Sequence, residues 1–264
     1  MTRDELILLS DLNMAEAFRD LSRRAGGVVE DRDGLLCFTG AHPLPVLVNG
    51  AMRLDDTLGP AEVLARARSF FAAQNRGFTL MLRAHADADL QAVATEAGLA
   101  DFGSPPAMVI EGRLADAAPG PGVELRRVAT PGDVQAFAHV SGGAYATYGM
   151  PPDVAPALFG RPEVLLAPHI AAFLAVVDGA PTAAAMILLS HGVGGVYWVG
   201  TLPEGRGRGL AELVTRAATN AAFDLGARMV TLQASVMGEP IYRRMGYVEV
   251  TRYPQLVQLT MPES

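Results

Sequence analysis

Three glycines alternate with two arginines at Gly205, Arg206, Gly207, Arg208 and Gly209. Glycine permits positive φ and lets backbone approach a ligand closely, and a helix starting just after such a turn points unpaired N–H groups and its positive dipole end at the same spot. The chemistry these residues suit is anion binding, phosphate above all. The two arginine side chains either add charge to that site or are solvated turn residues. Farther along, Tyr242 offers a different chemistry. A phenol titrates near pH ~10, so it is protonated at neutral pH and can hand a proton to a departing anion. A tyrosine packing a helix onto a sheet is the alternative role.

Such a turn needs a strand before it and a helix after it. Residues 195–200 form a β-branched and aromatic run bounded by glycines, and Leu210, Leu213, Val214, Ala217, Ala218 and Ala221 recur at helical spacing. The glycine spacing does not fit the dinucleotide pattern G-x-G-x-x-G, and the G-K-[ST] ending of a Walker loop is missing. What the run does spell is R-x-x-G-x-A, at Arg206, Gly209 and Ala211.

With Val199 ending the strand and Pro203 nearby, these residues resemble the acyl-CoA-binding motif Q/R-x-x-G-x-G/A of the GNAT superfamily of N-acyltransferases. The stretch from Glu239 to Tyr247 is similar to the family's Y-x-x-x-G-F segment, with Tyr242, Gly246 and Tyr247 in its positions. The resemblance covers about residues 123–262. It implies that the backbone of Val199, Gly200 and Thr201 pairs with the pantetheine arm of acetyl-CoA. It further implies that the amides of Gly207, Arg208, Gly209, Leu210 and Ala211 hold the pyrophosphate, with charge added by Arg206 or Arg208, and that Tyr242 is the general acid. Ser235 stands where many relatives have an asparagine that touches the donor. Tyr197 and Trp198 occupy the strand where relatives often place a glutamate, so no base is evident and proton removal through water is expected. Acceptor contacts are expected from residues 142–150 and from Trp198. Tyr145, Tyr148 and Trp198 suit an apolar or aromatic-bearing acceptor, or equally a packed helix end. The implied activity is transfer of an acetyl group from acetyl-CoA, as co-substrate, to a primary amine of a small molecule or peptide by direct attack. A non-catalytic acyl-CoA sensor or interaction module is the alternative.

Composition narrows the rest. A chain of 264 residues, half of them hydrophobic, can bury a sizeable core as one large or two ordinary domains. A net charge of -7 argues against a general nucleic-acid partner. The one cysteine, Cys37, lies in an apolar run and reads as a buried thiol. His42, His85, His139, His169 and His191 lack metal-ligand spacing, so no metal is expected. No apolar run approaches the roughly 18 residues of a spanning helix, and the charged N-terminus is unlike a leader, so a cytoplasmic protein without a membrane partner is expected. Whether it is a monomer or a homodimer stays open.

In chain order, Asn13 with Glu16 reads as the N-cap of a helix to about Arg24, followed by strands over 27–30, 34–38 and 46–52. Gly59 and Pro60 open a helix, 78–82 is a strand, a helix over 89–97 closes at Gly98, and 107–110 is a strand. After a Pro/Gly-rich linker at 116–122 come a strand over 124–128 and a helix from Thr130 to about Val140. Strands at 169–177, 183–189, 229–234, 248–250 and 256–259 complete the second part. The order of elements repeats. Gly98 and Pro106 have the same spacing as Gly246 and Pro254, which aligns Ala94 with Tyr242. The turn before the first half's helix carries Asp55, Asp56 and Pro60, two carboxylates and a residue without an N–H, which suits no phosphate. The expected fold is therefore α/β (α+β), two GNAT-like halves, each a mixed, mostly antiparallel twisted sheet flanked by helices. Residues 1–115 form a degenerate GNAT-like domain, with an unrelated cap domain as the alternative, 116–122 the linker and 123–264 the acetyltransferase domain.

Overall fold

Thr2 opens the chain's first helix, because its hydroxyl accepts the Glu5 N–H at 3.2 Å while the Glu5 carboxylate accepts the Thr2 N–H at 2.7 Å. That reciprocal cap starts α1 (Arg3–Arg24) well before the expected start, and Asn13 is a fully buried mid-helix residue rather than a cap. The computed structural model describes residues 1–259, so the expected end of the second domain, 260–264, lies outside the described residues.

Three antiparallel strands follow, β1 (Val29–Arg32), β2 (Leu35–Thr39) and β3 (Asn49–Arg53). Helix α2 (Pro60–Ala73) carries Pro60 in its first turn and buries Val63, Leu64, Ala67 and Phe71; it crosses to β4 (Phe78–Met81), which pairs parallel to β3. Then come α3 (Ala88–Glu96), β5 (Ala100–Gly103) and β6 (Pro106–Ile110). The sequence gives no sign of β5, because all four of its residues are exposed at a sheet edge and carry no apolar alternation.

Past the linker lie β7 (Val123–Arg127), α4 (Pro131–Tyr145), α5 (Val154–Phe159), β8 (Ile170–Val177), β9 (Ala180–Ser190) and β10 (Val193–Thr201). They are followed by α6 (Leu210–Asp224), β11 (Met229–Gln233), α7 (Glu239–Arg244), β12 (Val248–Arg252) and β13 (Gln255–Gln258). Helix α4 runs through the glycine pair at 142 and 143 to Tyr145, past the expected end. A Cβ on Gly143 would sit 2.4 Å from the Leu202 side chain, so glycine lets α4 lie against the turn after β10.

The two sheets have one order of strands. The first reads β1-β2-β3-β4-β13-β5, and the second, from its inner strands outward, β8-β9-β10-β11-β6-β12, with β7 added beside β8. Among the described residues each contains a single parallel pair, β3 with β4 and β10 with β11. Both α3 and α7 close on a left-handed glycine, Gly98 at φ 84° and Gly246 at φ 96°. After it, Leu99 N–H donates to Ala94 O and Tyr247 N–H to Tyr242 O, an identical cap that pairs Ala94 with Tyr242. These are two GNAT-like halves, mixed sheets flanked by helices.

The last strands of the halves are exchanged. β6, from before the linker, lies between β11 and β12, and β13, from the end of the chain, lies between β4 and β5. Helix α1 packs on β9, β10 and β12 of the second sheet as well as on β1 and β2 of the first. One buried cluster accordingly holds Leu6 and Met14 of α1, Phe38 and Met52 of the first sheet, and Val193, Met229 and Tyr253. No helix among the described residues is long and apolar enough to cross a membrane.

Because each sheet is completed by the other half's strand, the halves should unfold together. Burial pushes the Cys37 thiol up to about 12, so it stays inert while the first sheet is intact, and Trp198 is the chain's one tryptophan. In urea, Cys37 labelling and Trp198 fluorescence should report coincident midpoints. Leu256→Asp, which buries a carboxylate in β13, should destabilise the fold by about 3 kcal/mol or more and so lower both midpoints together. Two separate transitions would contradict this.

Candidate functional site

Strands β10 and β11 run side by side from Val193↔Met229 to Val196↔Leu232, and there their ladder ends. β10 continues to pair with β9 out to Thr201↔Ala183, but its register shifts between Tyr197 and Gly200, and Trp198 takes φ 53°. A bulge bends a strand and re-aims its side chains, and positive φ is strained for a bulky residue. Here two rings hold the indole, Tyr145 at 5.0 Å and Phe159 edge-on at 5.2 Å. The parting of the two strands opens a cleft of about 390 Å³. Val199, Gly200 and Thr201 form one wall, Ser235, Gly238, Ile241 and Tyr242 the other, and Gly207, Gly209, Leu210 and Ala211 border it at the start of α6.

Gly207 and Gly209 both sit at φ 74°, and a Cβ on either would meet nothing within 4 Å. Glycine is demanded there by backbone conformation, and the space beside it is free. Gly205 differs from the expected pattern: it is buried, and its Cβ would lie 2.2 Å from the Thr182 side chain, so it serves packing. Gly209 is the N-cap of α6, which leaves the first amides of a fifteen-residue helix without intrahelical partners beside the cleft. The Thr201 hydroxyl oxygen is buried there with no partner among the described residues. A free anion cradle and an unused buried hydroxyl are features that a phosphate-bearing, amide-bearing arm such as that of CoA fits.

The arginines are not equivalent. Arg206 lines the cleft but turns its guanidinium to Thr201 O, at 3.4 Å, and to Thr147 Oγ1, at 3.1 Å. Arg208 is not among the cleft's lining residues; it borders a neighbouring hollow formed with Ala117, Pro121 and Arg216. Sequence reasoning missed Arg244, which lines the cleft from α7. Its signal was the basic pair after Tyr242, of which Arg243 is held by Glu239 and Glu249 at 2.7 Å each.

Tyr242 is 7% exposed, with its ring against Tyr247, centroids 6.0 Å apart. Gly238 leaves room for it, since a Cβ there would lie 2.7 Å from the ring. Burial, and secondarily the neighbouring Tyr247, pushes the phenol's pKa well above its usual value. The Thr215 hydroxyl works slightly against that shift, but it does not reach hydrogen-bonding geometry. Ser235 lines the cleft, but its Oγ already accepts the Gly238 N–H at 3.1 Å and the Tyr148 phenol at 3.3 Å. Tyr148 thus bridges from the loop after α4 to the opposite wall. Tyr145 lines the cleft beside it, while Trp198 lies behind Tyr145 against the core.

No carboxylate stands on β10. Tyr197 donates its phenolic proton to Asn13 Oδ1 at 2.7 Å, and burial raises its pKa, so it is no base at neutral pH. Glu212 is the one carboxylate among the described lining residues, and Arg216 holds it at 2.7 Å.

The first half parts its strands in the same way and then fills the gap. The β3 and β4 ladder ends at Met52↔Met81. Arg53 follows, buried, with its Nε 2.9 Å from Asp87 and its Nη2 2.6 Å from Asp89; Arg83 reaches Asp87 at 2.9 Å. These four charges cancel and stand where β3 and β4 part, the counterpart in this half of the place that is open beside Tyr242. The turn before α2 has Gly59 at φ -67°, and the Asp55 carboxylate accepts the Thr57 N–H at 2.8 Å. It offers carboxylates and a proline where the second half offers glycines.

Comparison with known families places residues 190–250, from the end of β9 into β12, in the acetyltransferase (GNAT) domain family. No curated protein matches the chain. Among solved structures, a GCN5-related N-acetyltransferase from Kribbella flavida is 28% identical, with 95% of each chain covered and a TM-score of 0.71. A GCN5-related N-acetyltransferase from Sphaerobacter thermophilus shares the fold at 14% identity, covering 88% of this chain and 82% of that one, with a TM-score of 0.63. A tandem GNAT protein from the clavulanic acid biosynthesis pathway does so at 17% identity, covering 87% and 79%, with a TM-score of 0.57. The chain therefore carries a GNAT acetyltransferase domain, the fold of acyl-CoA-dependent acetyl transfer, within an architecture of two GNAT-like halves.

Proposed function

We propose that the second half binds acetyl-CoA in the cleft between β10 and β11 and transfers its acetyl group to a primary amine of a small molecule or peptide. The observation that carries the reading is the open cleft with an anion cradle at one end and a buried, protonated phenol on its wall. The amides of Gly207 to Ala211 take the pyrophosphate, and the backbone of Val199, Gly200 and Thr201 takes the pantetheine arm. Arg206 and Arg244 add charge at the rim, and Ser235 and Tyr148 border the arm. The amine attacks the thioester carbonyl carbon and forms the new C–N bond. As the C–S bond breaks, the thiolate takes the Tyr242 proton, the ammonium gives its proton to water, and water returns one to the phenolate. Burial keeps the phenol protonated at neutral pH, so the proton is in place when the thiolate departs. Tyr145, Tyr148 and, behind them, Trp198 favour an apolar or aromatic-bearing acceptor.

Calorimetry should find one CoA per chain, since the first half's gap is filled by Arg53, Arg83 and Asp87. Two equivalent sites would overturn the assignment to the second half. Gly209→Asp should weaken CoA binding by about 100-fold or more, because it sets a carboxylate and a strained φ at the cradle; the fold should survive, as the space there is open. Unchanged affinity in the folded variant would move the donor elsewhere.

Tyr242→Phe should lower turnover by roughly 10²-fold with CoA affinity nearly unchanged. The raised phenol pKa also fixes a sign: the proton is present at and below neutral pH and is lost only above the ordinary range near ~10, so loss of the acid should not limit the wild-type rate below that. Unchanged turnover in the variant on a reactive amine would return Tyr242 to a packing role. Tight CoA binding with no turnover on any amine would overturn the transferase reading.

A further inference from the structure

The bulge that opens the donor cleft is tied to the other half of the molecule by one buried side chain. Asn13, on α1, is fully buried. Its amide nitrogen donates to Leu188 O at 3.1 Å, Val193 O at 3.0 Å and Ser190 Oγ at 2.9 Å, so it clamps the end of β9 and the start of β10. Its Oδ1 accepts the Tyr197 phenol at 2.7 Å. The chain is shaped around this contact: a Cβ on Gly195 would lie 1.9 Å from Asn13 Oδ1 and 2.6 Å from the Tyr197 hydroxyl. Tyr197 is also the last residue of β10 in regular register with β9, paired with Met186, before Trp198 takes its positive φ. Beyond Val196 no pairing with β11 steadies this end of the strand.

We propose that Asn13 is a positioning residue for acyl transfer in the second half: through the Tyr197 hydroxyl it fixes where β10 bulges, and thereby where the backbone of Val199 and Gly200 points in the cleft. The inference rests on the reading of that cleft as the donor site. It gives the first half, whose equivalent gap holds paired arginines and aspartates, a part in the second half's reaction. The buried amide is the physical means, because it has no water to fall back on and its acceptors fix its orientation. Tyr197→Phe keeps the ring and removes the link.

In the full chain, Tyr197→Phe and Asn13→Ala should each lower turnover at saturating acetyl-CoA and amine by about tenfold, with the CoA dissociation constant within about twofold of wild type. The double variant should be no slower than Asn13→Ala alone, since both changes break one link. Val63→Ala, in the first half's core and remote from the cleft, serves as the control: it should lower the melting temperature yet leave turnover per folded molecule unchanged. A readout independent of turnover is amide hydrogen exchange, which should rise at 199–201 in Tyr197→Phe while β8 stays protected. Unchanged exchange at 199–201 would overturn the proposal, as would a Tyr197→Phe that loses stability but keeps the wild-type rate, or losses that add in the double variant. If CoA does not bind the wild type, the donor-site reading falls, and exchange at 199–201 still decides whether Asn13 holds the bulge.

Discussion

The parting of β10 from β11 after Val196 is the constraint on which the remainder of the site depends. Two parallel strands that stay paired leave no room for a ligand, and two that separate leave backbone groups in need of partners. The protein meets both demands by keeping β10 on β9, bending it at Trp198, and starting α6 where β10 ends. The exposed backbone of the cleft, the cradle amides and the Tyr242 phenol then converge on one space.

The first half shows what the same backbone does when that space is given up. Its ladder parts after Met52↔Met81, and two arginines and two aspartates close the gap. Buried charges are tolerable only when paired, and here Asp87 accepts from both arginines, which secures the cluster. At the position of Tyr242 stands Ala94, fully buried and without a polar group. Two copies of one architecture thus place different side chains at the same gap.

The closed half is bound to the open one by structural reciprocity. β6 completes the second sheet and β13 the first, so neither sheet is whole without the other's chain. Helix α1 adds to this by burying Leu6 and Met14 between the sheets and by placing Ser10 where it accepts the Thr231 hydroxyl at 3.0 Å. Asp11, next along, accepts the Tyr253 phenol at 2.6 Å and lies 3.0 Å from His85. The interface between the halves is therefore a shared core with polar links at its centre, unlike the loosely docked surfaces of independent domains.

By itself the sequence determined what depends on local geometry. Glycines at 207 and 209 announce left-handed backbone before a helix, Gly98 and Gly246 announce two equivalent helix ends, and the spacing to Pro106 and Pro254 announces a repeat. The place of Tyr242, on a short helix beside the cleft, was legible because it falls within a short motif whose helix and turn are formed by its neighbours in the chain. Tertiary structure alone decided which strand completes which sheet, because β6 and β13 are both short, largely buried strands and nothing along the chain says across which ladder their hydrogen bonds run. It decided that Asn13 is a strut rather than a cap, since the acceptors of its amide lie at residues 188–193. It decided that Arg208 leaves the cleft and Arg244 enters it, because both are long exposed side chains whose direction is set by what packs around them. And it hid β5, whose exposed residues carry no pattern to read, behind the strand that arrives beside it from the far end of the chain.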